Sequence, residues 1–376
     1  MASALPKTMR GQFLEAFKSP YTLRTVPLPK LTTPHDLLIK VDAASYCHTD
    51  FVLAEGQMPG FPKSFPHIGS HEFAGTVVSH FDSPSSKAST LKQGDRVGVP
   101  GRAFHACGDC FECRGSKDPI SQDDEGYSIN CVHAENNGLS KDGGFAEYAV
   151  VDARQLAPIP DALTAVETAP LMCAGITIYA ALKRCRLQEG DRVGIMGAGG
   201  GLGHLGLQYG VSMGYKVLGI DAADGPLKLA SSLNTGARLV DARSEKAADI
   251  VQQLGAEDGK KYTGEMGLDA VIILPESQTA FDYGMTLLKS HGKCIVVSFP
   301  EKGFYISARD VVFRDISIIG SLVGSNRMLR EMLDFSAKHN IRAIAKSFPL
   351  SRLNDLVEDY HKGSGGKLVI DMSLSE

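Results

Sequence analysis

The reading of the fold turns on one stretch, Arg192-Val-Gly-Ile-Met-Gly-Ala-Gly-Gly-Gly-Leu-Gly203, and on the strand that follows it, Lys216-Val-Leu-Gly-Ile-Asp221. An apolar strand runs into glycines, and the glycines into a helix whose inner face would carry Leu202, Leu205, Tyr209 and Met213. A turn of this kind needs glycine where a side chain would keep the backbone away from a pyrophosphate. The anion then meets the free N–H groups at the helix start. Strict G-x-G-x-x-G is not satisfied; the best frame is Gly197, Gly200 and Gly203, one residue longer, with Gly201 and Leu202 between. Asp221 ends the next strand 21 residues after Gly200. A carboxylate there accepts hydrogen bonds from both ribose hydroxyls and repels a 2′-phosphate, which favours NAD over NADP. Many glycine turns bind nothing, and a strand-terminal Asp is often an ordinary turn residue. The complete succession of strand, glycines, helix, strand and Asp is what favours a dinucleotide.

Outward from this unit, Leu268-Asp-Ala-Val-Ile-Ile-Leu274 and Gly292-Lys-Cys-Ile-Val-Val-Ser298 read as further buried strands between helical stretches. That alternation predicts an α/β fold with a parallel, doubly wound sheet. Ahead of it, Leu171, Gly175, Ile178, Leu182 and Cys185 recur at helical steps, predicting one helix within residues 161–185. Residues 1–160 read instead as short strands separated by Pro, Gly and Asp turns, a β-rich domain with its chemistry on loops. The tail from about 305 mixes strand and helix and is expected to pack back on that domain. The expected boundaries are therefore 1–160 with 305–376, and 161–304.

The 376 residues allow about two to three domains. Hydrophobic residues at 43% and charged residues at 22% exclude wholesale disorder. Lys and Arg number 39 against 43 acidic residues, without a basic stripe, which argues against nucleic acid as a partner. No apolar run is long enough to span a bilayer, so no membrane partner is expected. The first ten residues lack the apolar core of a secretory signal. The expectation is a cytoplasmic protein.

Eight cysteines carry meaning through their spacing. Cys107-x2-Cys110-x2-Cys113, completed by Cys131, offers four soft ligands, and four thiolates fill tetrahedral zinc completely, so such a site is structural. Free thiols rarely fall at this repeated interval. The gap from 114 to 130 holds 17 residues, with Asp118, Asp123, Asp124 and Glu125, and reads as a solvated insertion. Lengthening a loop from 7 residues to that size costs only ~0.8 kcal/mol of closure entropy. His105 and His133 flank the cluster and could stand in for Cys131 were the long loop to misplace it. Cys47, His71 and Cys173 are dispersed, and spacing leaves open whether they are ligands or core residues. Cys185 and Cys294 sit in apolar patterns and read as core. His35, His80, His291, His339 and His361 read as surface. His67, four residues before His71, lies in a turn-rich segment unsuited to a helical metal face.

Cys47-His-Thr-Asp50, Gly69-Ser-His-Glu72, the cysteine cluster, Leu171-Met-Cys-Ala-Gly-Ile-Thr-Ile-Tyr179 and the glycine turn occur in one order. Together, from about residue 10 to 372, they resemble the zinc-containing medium-chain alcohol dehydrogenases, especially the yeast-type tetrameric branch. The resemblance implies a Rossmann domain inserted in a β-rich GroES-like catalytic domain, with the active site in the cleft between them. It implies Cys47, His71 and Cys173 as ligands of a catalytic zinc that keeps one open position. Glu72 would lie beside the metal as a transient ligand, and Asp50 would hydrogen-bond the His71 imidazole. Thr49 would take the substrate proton, and His48 would face the cofactor pyrophosphate. Two zinc ions per chain, NAD, a small alcohol or carbonyl substrate and a homo-oligomer, tetramer or dimer, follow from the same resemblance.

The implied activity is reversible hydride transfer between an alcohol and NAD. A biosynthetic reductase of a bulky aldehyde or ketone is the second reading. A non-catalytic dinucleotide-binding protein is the third, and the complete set Cys47, Thr49, His71, Glu72 and Cys173 speaks against it. Three departures from the family stand out. Val52 occupies the place of a relay histidine, so the proton would leave more slowly, or by water or His48, with a shifted pH–rate profile. The chain has no Trp, and Ala54 and Met58 stand roughly where pocket tryptophans would align, which predicts a larger pocket. Val323-Gly-Ser-Asn326, followed by Arg327, replaces the usual Val-Gly-Thr-Arg near the nicotinamide.

Overall fold

The computed structural model describes residues 5–115, 118–123, 126–363 and 365–375. These form two compact units, one of Met1–Ile176, Gly324–Lys362 and Lys367–Glu376, the other of Thr177–Val323 and Gly363–Gly366.

The first unit begins with β1 (Thr8–Leu14), β2 (Tyr21–Pro27), β3 (Asp36–Tyr46), β4 (His67–Ile68), β5 (Glu72–His80), β6 (Arg96–Pro100), β7 (Tyr148–Asp152) and β8 (Ala157–Pro158). β1 pairs antiparallel with both β2 and β4. In β3, Leu37, Ile39 and Val41 alternate onto the core while Lys40 lies exposed on the other face, and a register shift after Val41 brings Ala44 inward. Fully burying each of the larger apolar side chains contributes ~1.5–3 kcal/mol.

The second unit holds β9 (Arg192–Met196), β10 (Lys216–Asp221), β11 (Arg238–Asp241), β12 (Leu268–Ile273), β13 (Leu288–Val296) and β14 (Ser317–Gly320). They form one parallel sheet in the order β11-β10-β9-β12-β13-β14. The strand order reverses between β9 and β12, so the glycine turn after β9 sits at the switch point where α/β sheets bind ligands. The chain then returns to the first unit with β15 (Ala345–Phe348) and β16 (Lys367–Asp371), giving the order β15-β16-β3-β5-β6-β8 with β7 also on β3.

Three sequence expectations are corrected. The units divide after 176 and 323 rather than 160 and 304. β14 extends the parallel sheet, and residues 165–172 pack on the first unit, where Thr168 and Met172 crowd Gly98 of β6. The single helix expected within 161–185 is broken into Ala165–Thr168, a 3₁₀ turn over Ala169–Met172, and Ala174–Cys185, with Cys173 off helical geometry at φ −124°, ψ −65°. Pro170 lies inside the expected helix, which explains the tight turn there. In the helix Gly203–Ser212, Leu205 and Tyr209 are fully buried as expected, but Leu202 and Met213 are only half-buried. No single described helix is long and apolar enough to cross a membrane.

Candidate active site

Strand pairing gathers the chemistry at one end of the first unit's sheet. Ala44 of β3 pairs antiparallel with Phe73 of β5, so Cys47, just past β3, meets His71, just ahead of β5. Leu368 of β16 pairs with Tyr46, which brings Lys367 to the same end. Glu72 pairs with Pro100 of β6, which brings Arg102 there as well.

Cys47 is the N-cap of the helix His48–Ala54, and Asp50 folds back to accept from the Cys47 N–H at 2.9 Å. The other Asp50 oxygen accepts from the Ser70 N–H at 2.9 Å, so the carboxylate is fixed before it faces any imidazole. Ser70 has φ +68°, a left-handed conformation costly for a residue with a Cβ, and it turns His71 inward. His71 Nδ1 then lies 3.6 Å from Asp50 Oδ2, an ion-pair distance longer than a hydrogen bond. His71 Nε2 lies 3.3 Å from Cys173 Sγ. The donor atoms of Cys47, His71 and Cys173 all fall within 4.8 Å of one another. Cys173 reaches them because its backbone breaks between the two helical segments.

Burial pushes the His71 pKa down, but Asp50 and Cys47 more than reverse this. Glu72 is fully buried and ion-paired through Oε1 with Lys367, which also donates to the Tyr46 carbonyl at 2.9 Å. The second oxygen, Oε2, is buried without a partner. Burial pushes the Glu72 carboxyl up to about 7 against the pull of Lys367. Two thiols and an imidazole suit zinc, and three protein donors are the number that leaves a catalytic corner open. Thr49 Oγ1 lies 3.8 Å from Cys47 Sγ, and the exposed His48 places Nδ1 2.7 Å from the Tyr360 hydroxyl.

Cys107, Cys110, Cys113 and Cys131 form a second cluster with all four sulfurs within 4.8 Å. Cys131 Sγ lies 3.6 Å from that of Cys107 and 3.9 Å from that of Cys110. A tetrahedron with Zn–S bonds of ~2.3 Å has edges of ~3.8 Å, so the spacing fits a closed thiolate site. Cys131 therefore joins without either flanking histidine, and His105 is instead engaged with Asp36, 2.6 Å away. Among its described residues, the insertion is more buried than the solvated loop expected. Asp123 is 8% exposed, and Tyr127 stacks under Arg154 at 4.7 Å. Pro119 and Ile120 accept through their carbonyls from Ser325 at 2.9 and 2.6 Å. Asp124 and Glu125 lie outside the described residues.

In the second unit, Gly197 has φ +77°, open to glycine at no steric cost. A Cβ on Gly203 would sit 2.0 Å from the Gly197 carbonyl oxygen, and one on Gly199 would sit 1.9 Å from that of Pro226. Gly199, outside the frame read from sequence, is thus the tighter requirement than Gly200, whose Cβ would meet the Gly197 oxygen at 3.3 Å. Asp221 accepts from the Gly199 N–H at 3.0 Å and so holds the turn itself.

Two family descriptions match the chain, alcohol dehydrogenase GroES-like domain over residues 33–161 and zinc-binding dehydrogenase over 201–338. An alcohol dehydrogenase of Geobacillus stearothermophilus is 34% identical over 365 residues, covering 97% of this chain and 99% of that one. The alcohol dehydrogenase of Moraxella sp. (strain TAE123) is 33% identical, covering 97% of this chain and all of the relative. The chain belongs to the zinc-binding alcohol dehydrogenase family. The crystal structure of the alcohol dehydrogenase of the archaeon Aeropyrum pernix superposes with a TM-score of 0.80 at 29% identity, covering 96% and 99% of the two chains.

As a family member this chain is an enzyme of alcohol oxidoreduction, and several of its site residues were invisible to sequence reasoning. Lys367 lies 295 positions from Glu72, and only the β3–β16 pairing joins them. Tyr360 and Arg102 likewise carry no motif. Asn326, which stands where the resemblance expects an Arg, is 3% exposed and donates to the Arg154 carbonyl at 2.7 Å, a structural tie.

Proposed function

We propose that this enzyme is an NAD-dependent, zinc-dependent dehydrogenase of the yeast-type branch that interconverts an alcohol with its aldehyde or ketone. Cys47, His71 and Cys173 would hold the catalytic zinc, and the four clustered cysteines a structural zinc. The convergence of those three dispersed donor atoms carries the reading. Zinc bound there supplies a Lewis acid for the substrate oxygen, and bound NAD a hydride acceptor. Asp50, pinned by two backbone N–H groups, orients the His71 ring. Lys367 holds Glu72 back by ion pairing, leaving Oε2 as a spare acceptor beside the ligands. Thr49 offers a hydroxyl to receive the substrate proton. With Val52 unable to carry it onward, His48, bonded to Tyr360 and exposed, offers the exit. Gly197, Gly199 and Gly203 shape the turn that cradles the pyrophosphate, with Gly200, Gly201 and Leu202 in its open stretch. Asp221 has a carboxylate placed for the ribose, in keeping with NAD rather than NADP. Ala54 and Met58, in a chain without Trp, support a pocket larger than ethanol requires.

Metal analysis with a panel of alcohols and carbonyls, followed by NADH absorbance, tests this. Two zinc ions per chain, turnover with NAD and loss of turnover on dialysis against a chelator are expected. Full activity in chelator-treated protein overturns the reading, and ethanol outrunning every bulky alcohol overturns the pocket.

A further inference from the structure

Arg102 stands beside the candidate catalytic ligands with most of its hydrogen-bonding capacity unused. Gly101, just before it, donates to the His71 carbonyl at 2.6 Å, and a Cβ on Gly101 would sit 2.4 Å from the His71 Cβ. That close packing fixes Arg102 next to the cluster, where Cys173 acts on it electrostatically. One arm is tied down: Nη2 donates to the Ile129 carbonyl at 3.0 Å. Ile129 is buried within the insertion between Cys113 and Cys131, and its N–H is in turn held by the Ser121 carbonyl. The insertion thus serves as the mount for this guanidinium.

Arg102 Nε is buried without a partner, and no ion pair to Arg102 occurs among the described residues. The nearby carboxylates are spoken for, since Glu72 pairs with Lys367 and Asp50 with two backbone N–H groups. Arg154 shows the alternative: Asp152 grips it at 2.6 Å, and its pKa rises. Five fork-shaped donors, mostly free, match a carboxylate, and a half-buried cation without an anion is costly until one arrives.

We propose that Arg102 is a specificity-determining residue that binds a carboxylate on the substrate, making hydroxy acids and the matching oxo acids the preferred class. The proposal rests on the dehydrogenase reading above. Each oxidation removes a hydride to NAD and a proton from the carbinol group, and leaves the bound carboxylate unchanged.

The test pairs 3-hydroxypropanoate, 4-hydroxybutyrate and 6-hydroxyhexanoate with the 1-alkanols of equal chain length, using the zinc-loaded enzyme and NAD. At least one acid should exceed its neutral partner in kcat/KM by about tenfold or more. Arg102→Met should erase that preference, lowering kcat/KM for the acid at least about fivefold more than for the alkanol, and Arg102→Lys should restore part of it. Calorimetric binding of the three acids without NAD should weaken by a similar factor in Arg102→Met for the tightest-bound of them. A wild-type enzyme that favours no acid overturns the proposal, as does a substitution that depresses both substrate types alike or leaves acid binding unchanged. Failure to oxidise any alcohol or acid would defeat the dehydrogenase reading instead, and the calorimetric comparison would still decide the role of Arg102.

Discussion

The two donor clusters differ in how they are built. The four cysteines come from one loop within 25 residues, and their sulfurs need only local turns to converge. Cys47, His71 and Cys173 come from three segments and meet only after β3 and β5 have paired and the 165–185 helix has broken. A closed thiolate set joins one loop to itself, so its natural work is to hold that loop. An open set of three donors joins distant segments, so its integrity depends on the fold rather than the reverse. The surroundings agree: the dispersed site is lined by fixed polar groups such as Asp50 and Lys367, whereas the local site has few polar partners beyond backbone N–H groups.

The strongest way to break this contrast is to remove one donor from each cluster. His71→Ala or Cys173→Ala should lower kcat/KM by at least ~10³-fold with the circular dichroism spectrum preserved, since a metal-held reacting oxygen loses its anchor. Cys110→Ser should act in the opposite sense, lowering Tm by on the order of 5–10 °C through loss of metal-linked folding energy. Its residual folded fraction should keep near-normal kcat. Equal damage to activity and stability from both substitutions would erase the distinction. Asp50→Asn sharpens the comparison at smaller scale. It keeps the shape but lowers the negative charge facing His71, and ~10–100-fold weaker zinc binding at the dispersed site alone is expected, measured by competition with a chromophoric chelator.

The smallest effect concerns how the cysteine loop is moored. Asp36 is fully buried; burial raises its pKa, but His105 and the Thr32 and Thr33 N–H groups hold it far below the ordinary carboxylate range. His105 begins the cysteine loop and also donates its N–H to Asp152 at 3.0 Å. Because the folded-state pKa is depressed, the stabilisation is present above the unfolded value and is lost as pH falls through and below it. Asp36→Asn should therefore lower Tm by a few degrees at pH 7. The gap to wild type should narrow below about pH 4. A gap that stays constant with pH would show that the charge is not what moors the loop.

What was legible in the sequence follows the same division. The cysteine cluster and the strand–glycine–helix succession are local patterns: the four sulfurs do lie together, and the chain does run from β9 through glycines into a helix. The glycine frame erred at Gly199, because its constraint is the Pro226 carbonyl, a contact between segments that no spacing records. The helix through 161–185 has helical periodicity on both sides of Cys173, so the break that delivers the ligand is hidden in the pattern. Lys367 and Arg102 gain their places from β-pairing, and Tyr360 from a helix that packs its ring against Tyr46. The insertion looked solvated because its residues are polar, yet its carbonyls serve as acceptors for Ser325 and Arg102.

The most direct test of the account is the visible absorption of cobalt exchanged into the dispersed site. Tetrahedral ligand-field bands should appear, shift when a carbonyl substrate is added, and vanish in Cys173→Ala while the cysteine-cluster bands stay unmoved. Bands that ignore the substrate, or that survive loss of Cys173, would contradict an open metal centre built from positions 47, 71 and 173.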